Sequence, residues 1–305
     1  MQRILNQFQT ILPILGDLEG ELIVLSTYFS SKQDPVRGGF QKENDFEYIQ
    51  HWYESVKEHG LKAVVFYDQL SEAFLETYQT QHIRFVKCQL GKMSLNDERF
   101  FVFYEFVQKL PDNCFVLTTD INDVIINKNP LPFFMSNPER LNIGRGNRRV
   151  WKNGIWTLKA LKYFNDRFLD NMAVSFFFYP VFNPGTIGGR KQEVAELLKR
   201  MVSIFENLAD DQNYDMQVFN YIIKEHYYPQ SGKYDSWMSF SLAWYYYYYS
   251  YRMRRKLERN YIKSKYDIAT YEESIERNDK IYAGFPFVSM FSWYEKKTSA
   301  YLIHK

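Results

Sequence analysis

Four short, continuously apolar runs alternate with stretches of helical periodicity in the first 120 residues, and this alternation is the tightest constraint on the fold. The runs are Glu21–Phe29, Leu61–Tyr67, His82–Leu90 and Cys114–Thr119. Between the first two, Phe46, Ile49, Trp52, Tyr53 and Val56 recur at helical spacing and stop near Gly60. A short helix is expected from Ser71. Ser94 reads as the N-cap of a longer one, with Asp97 at its third position and Phe100, Phe103, Phe106, Val107 and Leu110 along it. Strands apolar throughout, each followed by a helix, predict an α/β fold with a Rossmann-like, mostly parallel central sheet and helices on both faces. Ligands of such sheets bind beyond the carboxyl ends of the strands. Thr27-Tyr28, Asp68 and Asp120 fall at such ends.

The fourth run closes on Asp120-Ile-Asn-Asp123, and apolar residues resume at once with Val124-Ile-Ile. Carboxylates set inside a buried pattern need their charge compensated. A divalent cation is the simplest compensator, and it points to phosphate-bearing ligands. A cap or turn role for the two acids is the plainer alternative.

The second half is more mixed. Ala173–Phe182 reads as a strand running into a Gly-rich turn, Asn183 to Gly189. Lys191–Leu208 is an amphipathic helix, and another starts near Asp215. From Ser236 the chain becomes rich in aromatic residues, with Trp244 and five tyrosines, Tyr245 to Tyr249, followed by Arg252, Arg254, Arg255, Lys256 and Arg259. A helical insertion over 228–278 is expected there. Its stripe reads first as core, and a peripheral membrane or oligomer contact through 236–260 is the alternative. Ile4, Leu5, Phe8, Ile11, Leu12 and Leu15 predict an N-terminal helix within 1–18. No linker divides the chain, so 1–305 is read as one domain.

Composition narrows the partners. A net charge of +2 shows no basic excess, and nothing points to nucleic acid. Two cysteines, Cys88 and Cys114, are too few for a disulfide framework and read as buried thiols. The N-terminus lacks the pattern of a secretory signal, and no run approaches the ~20 apolar residues of a spanning helix, so a cytoplasmic location is expected.

Four segments in order resemble glycosyltransferases of the GT-A fold. Asp120-Ile-Asn-Asp123-Val, followed by Pro130, is similar to their DxD-type motif in a looser form. Asn183-Pro-Gly185-Thr-Ile-Gly188-Gly189 resembles an acceptor-side turn, Asp215-Met-Gln-Val-Phe-Asn220 resembles the opening of the next helix, and His304-Lys305 resembles the closing histidine of the metal site. The resemblance implies a metal-dependent hexosyltransferase that moves sugar from a nucleotide-sugar donor, a UDP-sugar first, to a glycan acceptor. It implies Mn²⁺ or Mg²⁺ held by Asp120, Asp123 and His304, with Asp123 the first of the two acids and a ribose-hydroxyl contact the alternative for Asp120. It implies nucleotide contacts from Thr27, Tyr28, Arg37, Arg99, Asp120 and Lys305, with Tyr28 stacking on the base. If the reaction inverts, Asp215 would be its general base, whereas a retaining reaction needs none there; Asn183, Gly185, Gly188 and Gly189 would line the acceptor side. A nucleotidyltransferase of similar sheet and a non-catalytic carbohydrate- or partner-binding module are the rival readings. The first expects a Gly-rich basic loop after the first strand, and Arg37-Gly38-Gly39 is too sparse to match.

Overall fold

The computed structural model describes residues 3–4, 13, 15–149, 179–208, 212–229, 275–289 and 298–304. The elements run β1 (Leu22–Tyr28), α1 (Phe46–Glu58), β2 (Lys62–Tyr67), α2 (Glu72–Tyr78), β3 (Ile83–Lys87), α3 (Leu95–Val107) and β4 (Phe115–Thr119). They continue as β5 (Val124–Ile126), α4 (Leu131–Met135), β6 (Leu141–Arg149), β7 (Pro180–Arg190), α5 (Lys191–Leu208) and α6 (Asp215–Ile222). Four short strands close the set: β8 (Glu276–Arg277), β9 (Ile281–Ala283), β10 (Val288–Ser289) and β11 (Leu302–His304).

The large sheet has the order β3-β2-β1-β4-β7-β6-β9-β8. Its first four strands are parallel throughout. β7 then enters antiparallel to β4, and β6 antiparallel to β7. The period of two decides what each residue buries. Ile23, Leu25, Val64, Phe66 and Val116 face one core with α3, α5 and α6, where Phe100, Phe103, Phe106, Phe205 and Phe219 pack. Leu22, Val24, Ala63, Val65 and Leu117 face the other, against Ile49, Trp52 and Val56 of α1. Each fully buried aromatic or branched side chain contributes about 1.5–3 kcal/mol. A sheet covered on both faces is why these strands read as unbroken apolar runs.

Helix starts follow the expected chemistry. The Ser71 hydroxyl accepts from Phe74 N and the Ser94 hydroxyl from Asp97 N, and α1 ends before Gly60, whose φ is +60°.

One expectation is overturned. Asn183–Gly189 is not a strand-to-helix turn but the middle of β7, paired with β4 on one side and β6 on the other. Its glycines mark close approach instead of a bend. A Cβ on Gly188 would overlap the ring of Phe134, and Gly189, at φ +154°, passes the carbonyl of Arg140. The segment turns only after Arg190, where α5 begins.

The expected N-terminal helix falls largely outside the described residues. Ile4 and Leu15 are buried there, and Ile4 makes an antiparallel bridge to Cys88. Lys305 and the segment 236–260 lie outside the described residues, as does most of 228–278.

Candidate active site at the end of strand β4

β4 is pinned where it ends. Trp52 Nε1 donates to Thr119 Oγ1 at 2.7 Å, and Ser26 Oγ donates to the Thr119 carbonyl at 2.7 Å. The next amide, Asp120 N, donates to Gly185 O at 2.9 Å, so β7 fixes the direction in which Asp120 leaves the sheet. The small second sheet brings in His304 from far along the chain. β11 lies antiparallel to β5, with His304 opposite Val124, the residue after Asp123.

Asp120, Asp123 and His304 thus meet at one corner. His304 Nε2 lies 3.6 Å from Asp120 Oδ2. Gly185 makes room for this approach, because a Cβ there would fall on Asp120 Oδ2 and His304 Cε1. Asn183, by contrast, turns its Oδ1 back to Gly185 N at 2.7 Å. Burial of the His304 ring pulls its pKa down to about 4, with Asp123 opposing and Arg99 adding to the shift, so the imidazole is neutral at pH 7.

Arginines compensate both acids. Arg99, on the second turn of α3, is buried and forks between Asp120, through Nη1, and Asp215, through Nη2 at 3.0 Å. Arg37 reaches in from the loop after β1, and its Nη2 is 2.7 Å from Asp123 Oδ2. Asp215, at the start of α6, has both oxygens engaged, since Met216 N donates to Oδ1 at 2.6 Å. Burial raises the Asp215 carboxyl and Arg99 opposes that shift. It is therefore a partner of Arg99 and not a carboxylate open to an acceptor hydroxyl.

Tyr28 is a second correction. Its side chain is fully buried, with its ring 5.2 Å from that of Tyr48 and 6.2 Å from that of Phe74. Its hydroxyl donates to Lys42 O at 2.7 Å and accepts from Asp45 N at 2.9 Å. The ring is core that anchors the entry to α1, with no face open for a base to stack on. Thr27 is half-buried beside it. Asp68 is also committed locally. Its carboxylate accepts from Ser30 N, Ser31 N and Gln69 N at 2.8–3.0 Å, fixing the loop after β1.

Two residues join the site without having been expected there. The carboxyl of Asp97 is fully buried, accepts from Tyr214 N at 3.2 Å, and is raised well above its usual range by burial and then by Asp215. A usable signal existed. Asp97-Glu98-Arg99 stand in the first half of a helix whose following residues, Phe100 to Phe103, are apolar on every side, so charges there have little solvated face to occupy. Glu98 is buried as well, accepting from Arg3 Nε at 3.1 Å and Met93 N at 2.9 Å. Tyr48 is the other. It is half-buried on α1, and burial pushes its pKa up to about 12, with Arg37 opposing the shift and Asp123 and Asp34 adding to it. Nothing in the helical stripe distinguished it.

The donor set suits a hard divalent ion: two carboxylates and a neutral imidazole. Among the described residues, Asp123 Oδ1 and His304 Nδ1 are buried without a hydrogen-bond partner, and Gly185 keeps the space beside Asp120 and His304 open. As the side chains stand, no three His, Cys, Asp or Glu among the described residues are arranged around one point to hold an ion. The residues fit in kind, with Asp123 turned to Arg37.

No protein-family profile matches this chain, and no curated sequence does. Solved structures are similar in fold. An active-site mutant of LgtC is 14% identical, with 65% of this chain and 69% of that chain covered and a TM-score of 0.40. The galactosyltransferase LgtC in complex with donor and acceptor sugar analogs is 13% identical, with 64% and 69% covered and a TM-score of 0.37. The apo-form glycosyltransferase GlyE of Streptococcus pneumoniae TIGR4 is 12% identical, with 69% of this chain but 44% of that chain covered and a TM-score of 0.39. These likenesses transfer no residue roles.

Proposed function

We propose that this chain is a glycosyltransferase that moves a sugar from a nucleotide diphosphate donor, a UDP-sugar, to a carbohydrate hydroxyl. One observation carries the reading: His304, brought in on β11, joins Asp120 and Asp123 at the carboxyl end of β4, with two arginines against the acids. That position is where open α/β sheets bind ligands. The order of the four sequence segments supports the same reading.

In this reading Asp120, Asp123 and His304 hold Mn²⁺ or Mg²⁺. When bound, the ion supplies Lewis-acid stabilisation of the charge that develops on the departing nucleotide diphosphate. Arg37, on a partly exposed loop, turns its forked donors to the phosphates. Arg99 keeps Asp120 oriented and is itself held by Asp215, which replaces the general-base role expected of that acid. Gly185 keeps backbone and ligand close. Free, buried Cys88 and Cys114 are compatible with the cytosolic setting we assign. No helix among the described residues is long and apolar enough to cross a membrane.

The test is a calorimetry and thermal-shift panel of nucleotides and nucleotide sugars, with and without Mn²⁺. The expected result is UDP binding that needs the metal and disappears in Asp123→Ala. Tighter binding of nucleoside triphosphates than of any diphosphate would favour nucleotidyl transfer. Silence across the whole panel would leave a non-catalytic module as the better reading.

A further inference from the structure

The loop carrying Arg37 has a construction that ligand contact by one arginine does not require. Gln33 and Phe40 form an antiparallel bridge that closes a small hairpin. Inside it Asp34 N donates to Gly39 O at 2.8 Å and Gly38 N to Asp34 O at 2.9 Å. The Asp34 carboxylate accepts from Val36 N at 2.7 Å and Arg37 N at 2.9 Å. Gly38 and Gly39, at φ +72° and +78°, allow the reversal. So braced, the hairpin can move as one piece.

Its apolar side chains are in water. Val36 is 72% and Phe40 68% exposed, the two most exposed large apolar side chains among the described residues. Between them in sequence, Arg37 is tied to Asp123 while its side chain remains 52% exposed. An exposed ion pair is weak beside the burial of an aromatic and a branched side chain. The hairpin therefore has more to gain by covering something apolar than by keeping its pair.

Asp123 shows where the exchange would begin. Its Oδ2 is held by Arg37, whereas its Oδ1 is buried with no hydrogen-bond partner among the described residues. A cation settling on Asp123 competes directly with the guanidinium. Tyr28 is occupied in the core, which leaves Phe40 as the aromatic face on this loop that a ligand could meet.

We propose that residues 33–40 are a flap latched to the candidate site by Arg37 on Asp123. Occupation of Asp123 by a divalent cation releases the latch, Arg37 passes to the diphosphate, and Phe40 and Val36 close on the nucleotide. This rests on the donor site proposed above, and it adds a linkage between metal, loop and nucleotide.

The linkage is read by calorimetry with Mn²⁺ alone, and by hydrogen exchange over 33–40 in the free protein, with Mn²⁺, and with Mn²⁺ plus UDP. Mn²⁺ alone should bind about two- to five-fold tighter to Arg37→Gln than to the wild type, the range set by an exposed pair. Exchange in the hairpin should rise with Mn²⁺ and fall below the free level once UDP is added. Phe40→Ala should weaken UDP binding about ten-fold and leave Mn²⁺ affinity unchanged. Weaker Mn²⁺ binding in Arg37→Gln overturns the latch. UDP binding with unaltered hairpin exchange and a neutral Phe40→Ala overturns the flap and leaves the donor site standing. If neither Mn²⁺ nor any nucleotide binds, both proposals fall.

Discussion

Two arginine–aspartate pairs stand three residues apart at the end of one strand, and they differ in nearly everything but chemistry. In Arg99–Asp120 the arginine is buried, anchored on a helix and shared with Asp215, while Asp120 itself is part-buried. Arg37–Asp123 sits on a hairpin in partial contact with water. Arg99 is buried between two acids, so losing its guanidinium strands Asp215 and Asp120 in a lower dielectric. The outer pair is screened and can be exchanged for another cation at little cost. The same two residue types thus serve as framework at one acid and as a replaceable counter-charge at the next.

The sharpest way to break this contrast is Arg99→Leu. It leaves Asp120 and Asp215 without their guanidinium, beside the buried Asp97, and should cost about 3–5 kcal/mol in urea unfolding at pH 7. A loss under about 1 kcal/mol, the level of an exposed pair, would erase the distinction. The next effect is one of pH. The metal-free folded protein holds His304 near pKa 4, against an ordinary 6.5, so the unfolded chain protonates this ring first. The contribution of His304 is fully present above about pH 6.5 and is lost as pH falls toward 4, by about 3 kcal/mol in all. Burial of Asp97 and Asp215 raises their carboxyls and acts with the opposite sign. The difference between wild type and His304→Gln at pH 7 and at pH 4.5, with chelator present, isolates the histidine. Gly185→Ala should cost about 1–3 kcal/mol by overpacking Asp120 against His304, and it should also weaken Mn²⁺ binding. Arg37→Gln closes the series, with a change in stability below about 1 kcal/mol. A larger loss there would make the outer pair framework too.

How far the sequence reached follows the range of the forces involved. β1 to β4 lie within a few residues of their apolar runs, because two-sided burial writes itself as an unbroken run. Ser71, Ser94 and Gly60 act within one turn of themselves, and each sits where local chemistry placed it. Asn183–Gly189 misled because glycine in a strand and glycine in a turn look alike in one dimension. Only the ring of Phe134 and the Asp120–His304 approach, both distant in sequence, show why small residues occupy β7. Tyr28 misled for a related reason, since a strand-end aromatic can face solvent or core, and the loop at 42–45 decides which. The acids announced a need for compensation but not its source. Arg99 lies 21 residues from Asp120 and 116 from Asp215. Pairing over such distances is set by how α3 and α6 pack, which no local pattern encodes.

The way β11 closes against β5 has a consequence for synthesis. Asn127 ties to Ala300 across 173 residues, and His304 arrives only with that strand. A nascent chain exposes Asp120 and Asp123 long before the imidazole exists, and a chain cut short before residue 300 keeps the acids and their arginines and loses His304. Assembly of this corner is thereby withheld until the ribosome has passed residue 304, and a product that stops earlier lacks one of its three sides.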